Sequence, residues 1–202
     1  MRARWLLPLL LLASCAGPLP SPVPSGQPSG WGKFTGPFNV ELLDDGRRLR
    51  LLNEVSYTDP AGVEWRTPAG WVVDGASIPK QFWTAIGGPL EGRYRNASIF
   101  HDYVCDKRDR SWEAAARMFY NAMRCGGVEE RKAKLMYAAV YLYGPHWTVG
   151  GRTETRPRLQ ARRSPTAADV RRLRQFVARE NPSLDQIETR AKVGTSDAPN
   201  HE

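Results

Sequence analysis

The sequence has few of the residues that build a disulfide scaffold or a metal centre. Its 202 residues include three cysteines and three histidines. Three cysteines exclude a disulfide-rich mini-protein, and no pair of histidines has a zinc-ligand spacing, so neither a metal site nor a cofactor is predicted. Beyond residues 5–12 there is no long apolar run, which excludes a polytopic membrane protein. Seven Trp, seven Tyr and six Phe, in contrast, exclude a disordered chain and suffice for one globular core.

The first fifteen residues have the pattern of an export signal. A basic n-region precedes the apolar residues 5–12, which are too few to span a bilayer permanently. The tetrapeptide Leu12-Ala13-Ser14-Cys15 that follows resembles a bacterial lipobox. The resemblance implies that residues 1–14 are a signal peptide and that Cys15 becomes the lipidated N-terminus, with palmitate among its acyl chains; ordinary cleavage nearby is the alternative.

The residue after the cysteine bears on the destination of the exported chain. Ala16 stands where an aspartate would favour the inner membrane of Gram-negative bacteria. Similarity to lipoproteins of those bacteria therefore implies an outer-membrane lipoprotein that faces the periplasm. The membrane, reached through the lipid anchor, is thus the first predicted partner.

Composition divides the exported chain into three parts. Residues 15–30 hold the lipidated cysteine and a tether rich in Pro, Ser and Gly, which buries too little to fold. Residues 31–151 concentrate the aromatic and apolar side chains and are predicted to form the globular domain. Residues 152–202 form a basic helical extension and tail.

The order of patterns within residues 31–151 predicts an α+β fold. Alternating apolar residues around an Asp-Asp-Gly turn at 44–46 indicate a β-hairpin, and further short strands extend it into a small antiparallel meander over about 38–74. Three helices follow. The first is predicted over about 93–106 and the third over about 129–143. The second begins after an N-cap at Ser111 and ends at the Gly-Gly pair at 126–127. Strands followed by helices predict that this three-helix unit packs on or beside the sheet.

The extension after residue 151 is strongly basic. Nine arginines lie between Arg152 and Arg179 against two acidic residues, and Thr166 is a suitable N-cap for a helix to about Glu180. An exported chain does not meet chromosomal DNA, so no nucleic-acid partner is predicted. The arginines of residues 152–179 form either a solvated helix face or a contact surface for anionic lipid head groups.

Three stretches in the predicted domain together have a distinctive pattern. They are Asp74-Gly-Ala-Ser-Ile-Pro79, the segment with Trp83, Ile86-Gly87, Pro89 and Gly92-Arg-Tyr94, and His101-Asp102-Tyr103. This pattern resembles the domain of unknown function 1353 (DUF1353), a family found in phages and bacteria, and the resemblance covers roughly residues 36–145. It implies no particular activity, because none is established for the family.

The His-Asp pair is also similar, more locally, to the active-site helix of secreted phospholipases A2. That similarity implies that His101 is a general base which deprotonates water, and that Asp102 is a calcium ligand. Calcium is a cofactor only under this alternative. In those enzymes a carboxylate on the second helix orients the histidine, but here the nearest acid on that helix is Glu113. Asp74 could orient His101 only if the sheet edge reaches the first helix.

A structural role is the other interpretation of the same residues. His101 is then a buried histidine bonded to Asp74 or to a backbone carbonyl, and Asp102 is a partner of Arg95 or Arg108. The function expected from the sequence is a non-catalytic binding or structural lipoprotein of the envelope. The alternative is an acyl-ester hydrolase with catalytic residues His101, Asp102 and Asp74.

Two further patterns could be interpreted as a nucleophile and a disulfide, but the sequence favours neither. Ser77 lacks the Gly-x-Ser-x-Gly elbow of a nucleophile, so we interpret it as a turn residue. Cys105 and Cys125 lie at opposite ends of a predicted helix pair, roughly 20 Å apart, whereas a disulfide needs Cα atoms within about 7 Å. Two mostly buried thiols are therefore predicted.

Overall fold

The computed structural model of the chain describes residues 30–75, 78–88, 90–149 and 164–196. The predicted signal peptide, Cys15 and the tether lie outside these residues, as do Ser77 and residues 152–163 of the basic extension. Among the described helices, none combines the length and the apolar character needed to cross a bilayer.

The strands form two three-stranded antiparallel sheets instead of one continuous meander. One sheet has the order β1-β4-β5 and the other the order β2-β3-β6. The chain crosses between them because β4 pairs back with β1, a strand that precedes the predicted meander. The strands are β1 (Lys33–Thr35), β2 (Val40–Leu42), β3 (Leu49–Leu51), β4 (Val55–Thr58), β5 (Glu64–Thr67) and β6 (Val72–Val73).

Both predicted turns are present. The hairpin β2–β3 closes through backbone hydrogen bonds between Leu43 and Arg48 and from Gly46 to Leu43, with Gly46 at φ 67°. The second turn is organised by Asp59, whose Oδ1 accepts the amides of Ala61 and Val63 at 2.9 Å each. Short polar side chains that bind nearby amides stabilise such turns locally, which is why the sequence pattern identifies them.

Helices follow the strands, so the α+β class is confirmed. A short helix α1 (Trp83–Ile86) follows a 3₁₀ turn, and a second 3₁₀ turn at Gly92–Tyr94 leads into α2 (Arg95–Lys107). The other two members of the predicted three-helix unit are α3 (Trp112–Cys125) and α4 (Glu130–Tyr143). Ser111 caps α3 as predicted, because its hydroxyl accepts the amide of Ala114.

The core lies mainly among α2, α3 and α4. Side chains from these helices that are at most 1% exposed include Phe100, Met118, Phe119, Met123, Met136 and Tyr137. Phe100 connects this helical core to the sheets, since its ring contacts those of Phe34, Phe38 and Tyr57.

Two C-terminal helices pack on this core. Helix α5 (Ala167–Glu180) has the predicted bounds and begins with a capping box between Thr166 and Asp169. Its buried residues include Leu173 and Phe176, and the apolar side chain of Ile187 in α6 (Leu184–Ser196) is 1% exposed. A second helix, α6, thus follows the single basic helix that the sequence pattern indicated.

Candidate functional site

His101 lies in the interior of the helical core. It is 3% exposed, and its ring lies 4.8 Å, centroid to centroid, from the ring of Phe119. The Sγ atom of Cys105, one helical turn later, is 3.6 Å from Nδ1 and 3.9 Å from Nε2. Burial lowers the pKa of His101 to about 4, so the imidazole is neutral near pH 7.

The surroundings of His101 do not favour its predicted role as a general base. Such a base needs a water or substrate within hydrogen-bond reach and usually a partner that orients the ring. Among the described residues, no hydrogen bond joins the ring to Asp74 or Asp102. Glu113 is exposed in the first turn of α3. The geometry therefore resembles the structural interpretation, with Cys105 in the place expected for a carbonyl or carboxylate.

Asp102 points away from His101 towards the end of β6. Its Oδ2 accepts the backbone amides of Asp74 at 3.0 Å and Gly75 at 2.9 Å. Gly75 has φ 107°, a conformation that glycine adopts without strain and that helps to turn both amides towards one oxygen. The sequence alternative that pairs Asp102 with Arg95 or Arg108 is wrong, because no hydrogen bond or salt bridge among the described residues joins Asp102 to either arginine.

The side chains of Asp74 and Asp102 form a carboxyl pair. Burial and the charge of Asp74 raise the pKa of Asp102 to about 8, although the two backbone hydrogen bonds oppose this shift. Asp102 is therefore largely protonated near neutral pH.

Asp74 is also part of the wall of a cleft with a volume of about 490 Å³. This volume lies within the range of small-molecule sites. One wall is the β2–β3 hairpin and the other is formed by α1, the segment after it and the start of α2. The lining residues with apolar side chains are Val40, Leu42, Leu49, Trp83 and Leu90, and those with charged side chains are Arg47, Asp74, Glu91 and Arg95.

Local contacts fix the second wall of the cleft. Trp83 donates from Nε1 to the carbonyl of Ile78 at 3.1 Å, and Arg95 donates from Nε to the carbonyl of Leu90 at 2.8 Å. The Glu91 carboxylate lies against Gly88, where a Cβ atom would come within 2.8 Å of Glu91 Oε1. A glycine is thus needed at position 88 for Glu91 to keep this place.

Sequence reasoning identified Asp74 but missed the other residues of the cleft. Arg47 lies at the hairpin tip, and Glu91 and Arg95 lie directly before and after the 3₁₀ turn Gly92–Tyr94. The Asp-Gly turn and the Gly-rich segment were visible, but nothing in the sequence shows that these two segments lie opposite each other. His101 is absent from the lining of this cleft.

The described residues contain no group of three or more His, Cys, Asp or Glu side chains placed to hold a metal ion. Calcium takes six to eight oxygen ligands. The carboxyl pair offers two side chains, and Oδ2 of Asp102 is already bound to two amides.

The two cysteines of the domain form no disulfide, as predicted. Cys105 is buried beside His101, and Cys125 is partly buried and donates to the carbonyl of Gly32 at 3.3 Å.

Comparison with known proteins identifies uncharacterised relatives. An uncharacterized protein of Sinorhizobium fredii, y4jT, is 47% identical over 121 residues, which cover 59% of this chain and 36% of the relative. A second protein of the same organism, y4iH, also uncharacterized, is 40% identical over 115 residues, or 56% of this chain and 48% of the relative. The chain thus spans less than half the length of each of these curated relatives. No solved structure matches it significantly.

A family model matches the part of the chain that runs from β3 into α4. It covers residues 49–140, and therefore includes both members of the carboxyl pair and His101. The predicted resemblance is confirmed: over residues 49–140 this chain matches the DUF1353 family, which is described as proteins of unknown function.

Proposed function

We propose that this protein is a lipid-anchored protein of the bacterial envelope whose domain is a non-catalytic binding module for a small molecule. The observation that carries the binding role is the cleft of about 490 Å³ between the hairpin and the α1–α2 segment. Its apolar wall and its few charged groups have the composition of ligand sites in general. The N-terminal lipobox supports the anchor and the outer-membrane location, facing the periplasm.

The position of His101 favours binding over hydrolysis. The rival function, a phospholipase A2-like or other acyl-ester hydrolase, requires His101 to meet a substrate. Its ring is buried against Phe119, outside the cleft lining. With fluorogenic phospholipid, with and without calcium, we expect no hydrolysis above that of a protein-free sample. Hydrolysis that is lost in His101→Asn, with folding verified by circular dichroism, would establish the rival instead.

The cleft is tested with N-phenyl-1-naphthylamine, an uncharged apolar dye that fluoresces on binding. Leu42 is 60% exposed and lines the cleft, whereas Leu52 is 54% exposed and is absent from the lining. These two leucines form a matched pair. We expect Leu42→Trp to fill the cleft and weaken dye binding, and Leu52→Trp to leave it unchanged. Equal dye binding by both variants, or none by the wild type, would contradict a binding cleft here.

The anchor is tested by labelling cells that express the full chain with palmitate. We expect label on the wild type and on Cys125→Ser, and none on Cys15→Ser, because Cys15 alone follows a lipobox. A soluble wild-type protein without label would remove the anchor from the proposal. Sucrose-gradient separation of the two membranes then checks the outer-membrane location.

Contact between the basic extension and anionic lipid is a further part of this proposal. The described part of the extension supports it, because α5 buries Leu173 and Phe176 and exposes Arg171, Arg174 and Arg179. Co-sedimentation of Cys15→Ser protein with phosphatidylglycerol vesicles should fall when these three arginines become glutamine and when salt is raised. If neither the substitutions nor the salt changed co-sedimentation, the arginines of α5 would be a solvated helix face and not a lipid contact.

A further inference from the structure

The charged groups of the cleft have both signs and are not paired with each other. Arg47 and Arg95 are positive, and Asp74 and Glu91 are negative. Among the described residues, no salt bridge joins either arginine to either acid. Among the described residues, these four side chains therefore line one cleft without neutralising one another through salt bridges.

Among the described residues, the two arginine side chains use few of their hydrogen-bond donors. The Arg95 guanidinium donates from Nε to the carbonyl of Leu90, which leaves its two terminal nitrogens. Arg47 is anchored through its backbone amide, which donates to Asp45 Oδ1 at 3.0 Å, so its position at the hairpin tip is set without its side chain. A guanidinium with free terminal nitrogens suits a phosphate group, which it binds through two parallel hydrogen bonds.

Asp74 and Glu91 complement the two arginines, because their carboxylates can bind a cationic group of the same ligand. Glu91 is held beside Gly87 and Gly88, and Asp74 lies at the end of β6 with Asp102 behind it. Carboxylates accept the N–H groups of a primary ammonium, which offers three donors. A quaternary ammonium offers none, so these acids distinguish the two kinds of head group.

Apolar side chains occupy the rest of the wall. Leu42 and Leu49 of the hairpin lie opposite Trp83 and Leu90, and Leu42 is 60% exposed. Covering this wall with an acyl chain contributes about 25 cal/mol for each Å² removed from water. A purely ionic ligand would leave the apolar side chains of the cleft exposed to water. A purely apolar ligand would remove water from the four charged side chains without replacing its hydrogen bonds. An ion of one sign would be repelled by the two side chains of the same sign.

We propose that the ligand of this cleft is an aminophospholipid, whose phosphate binds Arg47 and Arg95, whose primary ammonium binds Asp74 and Glu91, and whose acyl chain covers the hairpin leucines. This inference rests on the proposed binding function and specifies its ligand. A zwitterionic head group satisfies both signs of charge at once, while the chain satisfies the apolar wall.

The test is displacement of the naphthylamine dye by monomeric lysophospholipids that share one acyl chain. We expect lysophosphatidylethanolamine to compete best, lysophosphatidylcholine to be weaker because it donates no hydrogen bond, and lysophosphatidylglycerol to be weaker because Asp74 and Glu91 repel it. Arg95→Gln and Glu91→Gln should each weaken the ethanolamine lipid about tenfold, the loss of one charge-assisted contact. The matched controls Arg131→Gln and Glu113→Gln, at exposed positions absent from the cleft lining, should not change it.

The outcomes separate the ligand from the binding function. Three results would overturn the aminophospholipid while dye binding remained. The first is equal competition by the three lysophospholipids, and the second is an unchanged affinity in Arg95→Gln and Glu91→Gln. The third is stronger competition by a leucyl dipeptide, which also has an ammonium group, an anionic group and an apolar side chain. Loss of the Leu42→Trp effect on the dye itself would overturn the cleft, and with it both proposals.

Discussion

The helical core and the hairpin face differ in whether charged side chains are paired and apolar side chains are buried. In the helical core, Lys134 contacts Glu130 and the Asn181 side chain, and Arg117 contacts Asp185 and Glu188. The hairpin face is the side of the β2–β3 hairpin that lines the cleft, and it leaves Leu42 60% exposed. Arg47 on this face, and Arg95 and Glu91 on the opposite wall, have no salt bridge among the described residues.

This difference indicates which region is organised for stability and which for contact with another molecule. Buried apolar area and satisfied polar groups contribute to the free energy of unfolding. Exposed leucines beside unpaired charges contribute little to it, but they form a surface that a ligand with matching chemistry can cover.

The largest expected effect comes from opening the helical core. Phe119 is fully buried between α2 and the rest of the core, so Phe119→Ala should lower the free energy of unfolding by about 3–5 kcal/mol. Leu42→Ala on the hairpin face should change it by less than about 0.5 kcal/mol. Urea unfolding followed by circular dichroism measures both. Similar losses in the two variants would remove the contrast between the regions.

The carboxyl pair lies between the two regions and should make stability depend on pH. Asp102 has a pKa raised from 3.8 to about 8, so the folded state binds a proton that the unfolded state has released. The contribution of this proton to the free energy of unfolding is fully present below about pH 4 and is lost as pH rises towards 8, at about 1.4 kcal/mol per pH unit.

Asp102→Asn tests this dependence. The asparagine oxygen can still accept the amides of Asp74 and Gly75, but the asparagine side chain does not titrate in this range. We expect the variant to lack this decrease between about pH 4 and pH 8 in urea unfolding, relative to the wild type. Parallel pH profiles for the two proteins would show that the pKa of Asp102 is not raised in the folded state.

A smaller effect is expected where α6 joins the helical core. The Tyr137 hydroxyl donates to Glu188 at 2.5 Å, and Arg117 lies 2.6 Å from the same carboxylate, which is 16% exposed. Glu188→Gln should lower the free energy of unfolding by about 1–2 kcal/mol and increase hydrogen exchange in α6. Asp185→Asn is the control, because that carboxylate is 81% exposed. Equal exchange in both variants would mean that α6 does not depend on the buried contact.

The smallest effect is expected on the hairpin itself. Arg50 and Glu41 form an exposed cross-strand pair at 2.8 Å. Arg50→Gln should change the free energy of unfolding by less than about 0.5 kcal/mol, because exposed salt bridges contribute little. A loss comparable to that of Glu188→Gln would show that the hairpin face contributes more to stability than its exposure suggests.

Residues close in sequence made part of this structure predictable. Ser111 and Thr166 cap helices whose amides lie three residues away, and Asp45 and Asp59 organise turns within four residues. The hairpin and the helix to Glu180 were predicted for the same reason. The pattern left open whether His101 meets Asp74 or a backbone carbonyl, and packing placed its ring beside Cys105, a partner that the sequence analysis did not predict.

The sequence by itself determined that strands precede helices, where Ser111 and Thr166 cap two of those helices, where two turns lie, and the pattern of an export signal before Cys15. These features depend on interactions over a few residues, so the local pattern contains their physical cause. Only the tertiary structure decided that Asp102 meets Asp74, twenty-eight residues earlier, and that the hairpin tip faces Arg95 across the cleft. Both contacts depend on how the sheets dock against α2, which is set by the burial of side chains from every part of the chain at once.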